Sequence, residues 1–300
     1  MPHDKRYSKK ETEELAKVLN SKKTEVLMME FMPSAFQCNA SQRLRNSTIT
    51  SASLCLLILS LWVSMTFAFA SGCAAQTVPP LGEWGEQHNS TGATLGYKET
   101  ERRLLNGKTV VAYNLFASGL PTDGQYALST TIMGARPGKI ANVRVSEAGT
   151  IVNATADPEH NINAGDPFTI LLLAPKGQPF QFAVVSADER LRAFTKIIPF
   201  PIEADAGPCH LSVEEIIPVY LGILLRVSGL QSNEAVVLKC NCGRKGHETK
   251  GTADDKGVFN AAVETGVKGK QSGTFEFELK AESCKIGMQI PWGKGSEKFQ

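Results

Sequence analysis

Two cysteines and one histidine in the second half of the chain have side chains that could bind a soft metal ion. The run Cys240-Asn241-Cys242-Gly243 is followed closely by His247. Two thiolates and an imidazole are ligands that suit Cu(I) and Zn(II). A structural zinc site would need a second ligand pair, and Cys209 and Cys284 are the cysteines that could contribute to one.

The surrounding pattern favours a different role for these cysteines. In the run EAVVLKCNCG, Val236, Leu238, Cys240 and Cys242 lie at every second position and so share one face of a strand. Cys240 on that face is expected to fill the core as a small apolar residue. We therefore predict no metal and no cofactor, and keep Cys240, Cys242 and His247 as the ligands of an alternative soft-metal or redox function.

Other signatures of enzymes are missing from the sequence. It contains no nucleophile elbow, no P-loop and no dinucleotide-binding fingerprint. The polar loop DPEHNINAGD, residues 157–166, lacks the Gly and Glu that a calcium-binding EF-hand loop requires. The prediction is a protein that is not an enzyme.

A long apolar run near the N-terminus points to export. No charged residue occurs from Leu54 to Ala70, and Arg43 and Arg45 precede the run. At about 1.5 Å per residue, such a helix is just long enough to cross a bilayer, and basic residues keep its N-terminal flank in the cytoplasm. Residues 51–73 are thus predicted to form a signal peptide or membrane anchor helix.

The end of the apolar run suggests how the chain is attached. Ala70-Ser71-Gly72-Cys73 resembles the lipobox of bacterial exported lipoproteins. The resemblance implies that Cys73 is lipidated and becomes the first residue of the mature protein. Two alternatives remain open: cleavage by the ordinary signal peptidase after Ala68-Phe69-Ala70, and an uncleaved anchor. All three place the rest of the chain outside the cytoplasm at the membrane or envelope.

Composition bounds the partners and the compartment. The formal net charge is only +2, and part of it comes from the charged N-terminal extension at 1–50, so no nucleic-acid partner is predicted. A true translation start at Met32 would remove most of that extension. Four cysteines follow Cys73, an even number that permits disulfides in an oxidising compartment.

The rest of the chain is expected to fold as two copies of one β-unit. Short β-branched and aromatic runs alternate with turns. Ser118-Gly119-Leu120 recurs as Ser228-Gly229-Leu230, and EAGTI at 147–151 matches DKGVF at 255–259. TKIIPFPI at 195–202 resembles CKIGMQIPWG at 284–293. A period of about 110 residues indicates tandem domains rather than a solenoid.

The predicted fold class is all-β, with two tandem immunoglobulin- or fibronectin-like β-sandwich domains after the N-terminal helix. A tether is expected at 74–95, domain 1 at 96–205 and domain 2 at 206–300. Leu211–Tyr220 is interpreted as an edge strand entering domain 2, with Pro218 at a kink.

The cysteines of domain 2 allow one pairing to be predicted. Cys209 is expected to open the first strand and Cys284 the last, and these strands lie side by side in such a sandwich. We therefore expect a Cys209–Cys284 disulfide. The function predicted is that of a membrane-anchored binding or structural module at the cell envelope, whose partner is an envelope protein or a glycan.

Overall fold

The computed structural model describes residues 26–29, 78–79, 81–133, 135–158, 162–242 and 245–297. The helix predicted at 51–73 and the lipidation candidate Cys73 lie outside these residues. Within them the regular structure is strands and short 3-10 turns. The all-β prediction is confirmed, and so is the pair of β-sandwiches.

Seventeen strands lie in the described residues, nine of them before residue 200 and eight after it. The first nine are β1 (Val26–Met29), β2 (Thr94–Leu105), β3 (Lys108–Ser118), β4 (Gln125–Thr131), β5 (Gly138–Val145), β6 (Ile151–Asn153), β7 (Thr169–Leu172), β8 (Phe180–Ser186) and β9 (Arg192–Ile197). The others are β10 (Ile202–Ala206), β11 (Cys209–Ile217), β12 (Gly222–Ser228), β13 (Ala235–Cys242), β14 (Lys245–Thr252), β15 (Phe259–Glu264), β16 (Ser272–Lys280) and β17 (Lys285–Gly293).

Each sandwich consists of two sheets over its own core. In the first, a sheet of order β1-β7-β3-β2 faces one of order β6-β5-β4-β8-β9. In the second, β10-β11-β12-β15 faces β14-β13-β16-β17. Fully buried aromatic rings lie in both cores, Phe168, Phe180 and Phe182 in the first and Phe275 in the second. The alternation of apolar and polar residues along the strands places these rings inside, since successive side chains point to opposite faces.

The sequence repeat corresponds to a structural repeat. The order β5-β4-β8-β9 in the first sandwich is matched by β14-β13-β16-β17 in the second. The turn at Ser146–Thr150 has its counterpart at Asp254–Val258: Gly149 N–H donates to Ser146 O at 2.8 Å, and Gly257 N–H to Asp254 O at 3.1 Å. The repeated motifs therefore mark the same turns in both sandwiches.

Part of the range expected to be a tether packs on the first sandwich. Residues Leu81–Glu83 and Glu86–His88 form 3-10 turns, and Trp84 between them is buried. Its ring meets Phe194 edge-on at 5.8 Å, and its Nε1 donates to Pro79 O at 3.0 Å. Burial of the large indole ring gives this Pro- and Gly-containing stretch a fixed position.

The second sandwich begins earlier than expected. β10 pairs with β11 along its whole length, from Ile202 opposite Val213 to Ala206 opposite Cys209. β11 is therefore an interior strand of its sheet and not the predicted edge strand, because β10 occupies the edge. Pro218 does end β11, as the first residue of the 3-10 turn Pro218–Tyr220.

A disulfide joins the two sheets of the second sandwich. Cys209 and Cys284 are bonded, with Cα atoms 6.3 Å apart and 75 positions apart in the sequence. Cys209 opens β11, the second strand of the sandwich rather than the first, because β10 precedes it. Cys284 directly precedes β17, which lies in the opposite sheet. The pairing is the one that the sequence predicts.

The two sandwiches contact each other through specific polar groups. The backbone N–H of Glu215 donates to Gly177 O at 2.9 Å, and the Tyr220 hydroxyl donates to Lys176 O at 2.7 Å. Lys176 and Gly177 lie in the β7–β8 loop of the first sandwich. An ion pair between Lys196 of β9 and Glu214 of β11 adds to this joint.

Candidate functional site

The predicted ligand residues line an open groove on the second sandwich. β13 pairs with β14 on one side and β16 on the other, so that Cys240 lies opposite both His247 and Phe277. The groove has a volume of about 630 Å³ and is open to solvent. Cys240 is half-buried and packs against the second core, as the alternation of apolar residues in β13 indicates, whereas His247 is exposed.

The other charged side chains that line the groove are Lys239, Glu248, Glu276 and Glu278. Lys239 Nζ lies 3.3 Å from Glu248 Oε2 on the neighbouring strand. Glu278 pairs with Lys280 at 2.9 Å and with Lys285 at 2.7 Å, and these hydrogen bonds lower the pKa of its carboxyl. The groove therefore offers charged hydrogen-bonding groups beside the buried ring of Phe277.

The structure brings only part of the predicted metal site together. Cys240 and His247 lie opposite each other on the neighbouring strands β13 and β14. The side chain of Cys242 lies outside the described part of the chain. Cys209 and Cys284 are bonded to each other and so cannot act as a second ligand pair. Among the residues that the structure describes, no group of three or more His, Cys, Asp or Glu side chains is arranged to hold a metal ion.

Two other polar clusters, at Asp188 and in the loop at 157–166, have structural contacts. Asp188 accepts a hydrogen bond from the Ser186 hydroxyl at 2.6 Å and pairs with Arg190 at 2.8 Å on the surface. In the loop after β6, Asp166 Oδ2 accepts hydrogen bonds from both the backbone N–H and Nδ2 of Asn163, each at 3.0 Å. These contacts close turns.

Sequence reasoning missed the most unusual ionisable group, Glu215. Its side chain is completely buried on the inner face of β11, and its backbone N–H lies at the joint between the sandwiches. Oε1 accepts the backbone N–H of Tyr220 at 3.0 Å, whereas Oε2 has no hydrogen-bond partner. Burial raises the pKa of Glu215 to about 7, and the like charge of Glu297 adds to the rise.

A signal for this burial was present in the sequence. Cys209, Leu211, Val213 and Glu215 alternate along β11, and the first three are core residues. A strand extending to Ile217 therefore turns Glu215 inward and Glu214 outward. The capping-box spacing of Ser212 and Glu215 and the nearby Pro218 obscured this alternation, because they are also typical of a short helix.

Comparisons with known proteins give no family for this chain. No protein-family model matches it, and no curated protein does. Among solved structures it is similar to a tetra-tandem repeat from the extending region of a large adhesion protein, with 12% identity over 68% of this chain and 50% of that one, and a TM-score of 0.23.

Two further solved structures are similar to a comparable degree. The chicken CNTN1 FN1–FN3 domains match with 11% identity, 65% and 64% coverage and a TM-score of 0.20. The BSP domain of a biofilm-associated protein matches with 10% identity, 71% and 54% coverage and a TM-score of 0.20. The chain thus spans about half to two thirds of these proteins. At such TM-scores the likeness carries no argument, and the fold rests on the sheets and cores described above.

Within the described residues, none of the helical segments has the length and apolar character needed to span a bilayer. The apolar run from Leu54 to Ala70 lies outside that part of the chain.

Proposed function

We propose that this chain is an exported, membrane-attached module of two β-sandwiches that binds or presents a partner at the cell envelope. The observation that carries the proposal is the Cys209–Cys284 disulfide. Cys209 is 1% exposed, and the bond joins the two sheets of a sandwich. Such structural disulfides form and persist in oxidising compartments outside the cytoplasm.

The export segment and the disulfide independently support a location outside the cytoplasm. One is an uncharged run ending at the lipobox-like Cys73, and the other is a covalent bond more than a hundred residues later. The polar contacts between the sandwiches support a role in presentation, since a fixed joint gives a module a defined direction. The groove between β14 and β16 is the surface at which we expect an envelope protein or glycan to bind.

Acyl labelling in a bacterial host tests the attachment. The unsubstituted chain should incorporate a labelled fatty acid and fractionate with membranes, and the Cys73→Ser variant should lose the label. Cys55→Ser, inside the apolar run, is the matched control and should keep it. Labelling that persists in Cys73→Ser contradicts lipidation. An intact mass for the mature N-terminus then distinguishes ordinary cleavage from an uncleaved anchor.

A second candidate function is the handling of a soft metal or of redox equivalents. The observation that favours it is the direct opposition of Cys240 and His247 on β13 and β14. Protein purified without chelator should then carry copper or zinc in a stoichiometric amount, and Cys240→Ser should remove it. Metal-free protein from such a preparation contradicts this candidate and leaves the first unaffected.

A further inference from the structure

The segment Glu215–Tyr220 combines a buried carboxyl group with the contacts that hold the two sandwiches together. The Glu215 backbone N–H and the Tyr220 hydroxyl donate to the backbone oxygens of Gly177 and Lys176 in the first sandwich, at 2.9 and 2.7 Å. The Glu215 carboxyl accepts the Tyr220 N–H from inside the same segment at 3.0 Å. A change at the carboxyl therefore acts directly on the residues that form the joint.

The backbone of this segment is held in an unfavourable conformation. Val219 and Tyr220 have φ values of 55° and 54°, in the left-handed region that a β-branched or bulky residue rarely adopts. Such residues keep this conformation only where their surroundings impose it, at a cost of roughly 1–3 kcal/mol each.

Three side chains impose the turn. Glu215 Oε1 holds the Tyr220 N–H, and the Thr265 hydroxyl donates to Tyr220 O. The Ser296 hydroxyl shares its proton between Gly293 O at 2.7 Å and Val219 O at 3.2 Å. The Glu215 contact is the one of these three that changes with ionisation. Loss of any of them weakens the turn that positions the Tyr220 hydroxyl.

The surroundings of Glu215 disfavour its charged form. Glu297, half-buried on the C-terminal segment, acts on it with charge of the same sign. The Tyr220 hydroxyl stays neutral, because burial and the nearby carboxylates raise its pKa. On β11 itself Glu214 is paired with Lys196, and Lys176 on the facing loop of the first sandwich is exposed.

We propose that Glu215 makes the joint between the two sandwiches sensitive to pH: the neutral carboxyl keeps it closed, and ionisation loosens it as the pH rises toward and through neutrality. The ionised group has one oxygen without a hydrogen-bond partner in a buried site next to Glu297. A buried charge of this kind is relieved when water reaches it. Release of the Tyr220 turn, whose N–H the carboxyl accepts and whose hydroxyl holds Lys176 O, admits that water and opens the joint.

The sign and the size of the effect follow from proton linkage. Glu215 has a pKa of about 7 in the closed joint and an ordinary 4.5 when exposed. The closed form therefore holds a proton that the open form releases, so the closed form is favoured at low pH and loses its advantage as the pH rises from 4.5 to 7. With those two values the open fraction increases roughly tenfold between pH 6 and pH 8.

Hydrogen exchange of the full chain, read by mass spectrometry over residues 211–222, tests the proposal. The Glu215→Gln variant mimics the neutral acid. The exchange rate of the unsubstituted chain is divided by the rate of this variant at the same pH. The ratio cancels the intrinsic pH dependence of hydrogen exchange. We expect the ratio to rise about tenfold from pH 6 to pH 8. Glu276→Gln, at an exposed position on β16, is the control and should keep the pH dependence. A ratio that is the same at both pH values overturns the proposal.

Direct titration of the glutamate carboxyls tests the proposal even if the Glu215→Gln variant fails to fold. In the full chain labelled with ¹³C at glutamate carboxyls, one resonance should titrate near pH 7, and Glu297→Gln should move its midpoint downward. If every glutamate titrates near its ordinary pKa, the proposal is wrong.

Discussion

Gly119 and Gly229 stand at the same point of the two sandwiches, where the chain leaves β3 or β12 to cross to the opposite sheet. Both have left-handed backbones, with φ of 70° and 83°. A Cβ atom at Gly119 would lie 2.1 Å from Gly92 O, and one at Gly229 would lie 2.0 Å from Pro208 O. Because the obstacle is backbone in both cases, it cannot move aside as a flexible side chain would, and only glycine fits.

Replacement of either glycine should therefore destabilise its own sandwich. We expect Gly229→Ala to lower the free energy of unfolding of the second sandwich by about 2 kcal/mol or more, from the left-handed backbone and the clash together. Gly138→Ala is the control, since a Cβ there would meet nothing within 4 Å. Urea denaturation measures both. Equal effects of Gly229→Ala and Gly138→Ala would contradict the requirement for glycine at Gly229.

Reduction of the disulfide should affect the second sandwich far more than the first. Opening a loop of 75 residues costs about 4 kcal/mol in the chain-entropy model. In calorimetry, the melting transition of the second sandwich should shift to a lower temperature in the Cys209→Ala/Cys284→Ala variant. The transition of the first sandwich should stay in place. Peptide mapping under non-reducing conditions is the check on connectivity. A Cys209–Cys240 or Cys242–Cys284 linkage would be inconsistent with the strand order.

The position of β10 predicts where the second sandwich can be cut. Half-buried Ile202, Ala204 and Ala206 of β10 pack against the second core, and their strand covers the edge of β11. A fragment of residues 198–300 should therefore melt cooperatively and at a higher temperature than one of residues 207–300. Identical melting temperatures would mean that β10 contributes nothing. Failure of both to fold would mean that the two sandwiches depend on each other.

His210, on the surface of the β10–β11 hairpin, should make a small, pH-dependent contribution to the free energy of unfolding. Its Nδ1 lies 2.8 Å from Asp205 Oδ1, and this hydrogen bond raises the pKa of the imidazole above 6.5. The contribution is fully present below pH 6.5 and is lost as the pH rises through the raised value. NMR titration should show Asp205→Asn moving the midpoint down toward 6.5. Glu203→Gln, whose carboxyl is more distant at 3.7 Å, should move it less.

The strands were predictable where a sheet has one face in water. In β16, Phe275, Phe277 and Leu279 alternate with charged residues and all three are buried, because the period of two leaves no other face for them. The repeat was predictable for a related reason. Its matched positions are turn residues such as Gly119 and Gly229, whose backbone conformation excludes other residue types.

The rest depended on contacts between distant parts of the chain. β10 was missed because Glu203 and Asp205 make it look like a loop, although Ile202 and Ala204 face the core. Trp84 lies in a Pro- and Gly-containing stretch, and it is buried by Ala183, Val185 and Phe194, which lie far along the chain. For Glu215, the alternation in β11 predicts an inward side chain. No local pattern reveals that the first sandwich contacts this end of β11.

β1 has a consequence for the route that the molecule takes through the cell. It lies before the apolar run Leu54–Ala70, and it pairs in parallel with β7, which lies after that run. A run that spans a bilayer would put the two strands in different aqueous compartments, where they cannot share hydrogen bonds. If the chain is exported as proposed, the β1–β7 ladder can therefore exist only before translocation. Removal of the residues before Cys73 would strip β1 from the sheet and leave the N–H and C=O groups of β7 ready to take up a donated strand from another chain.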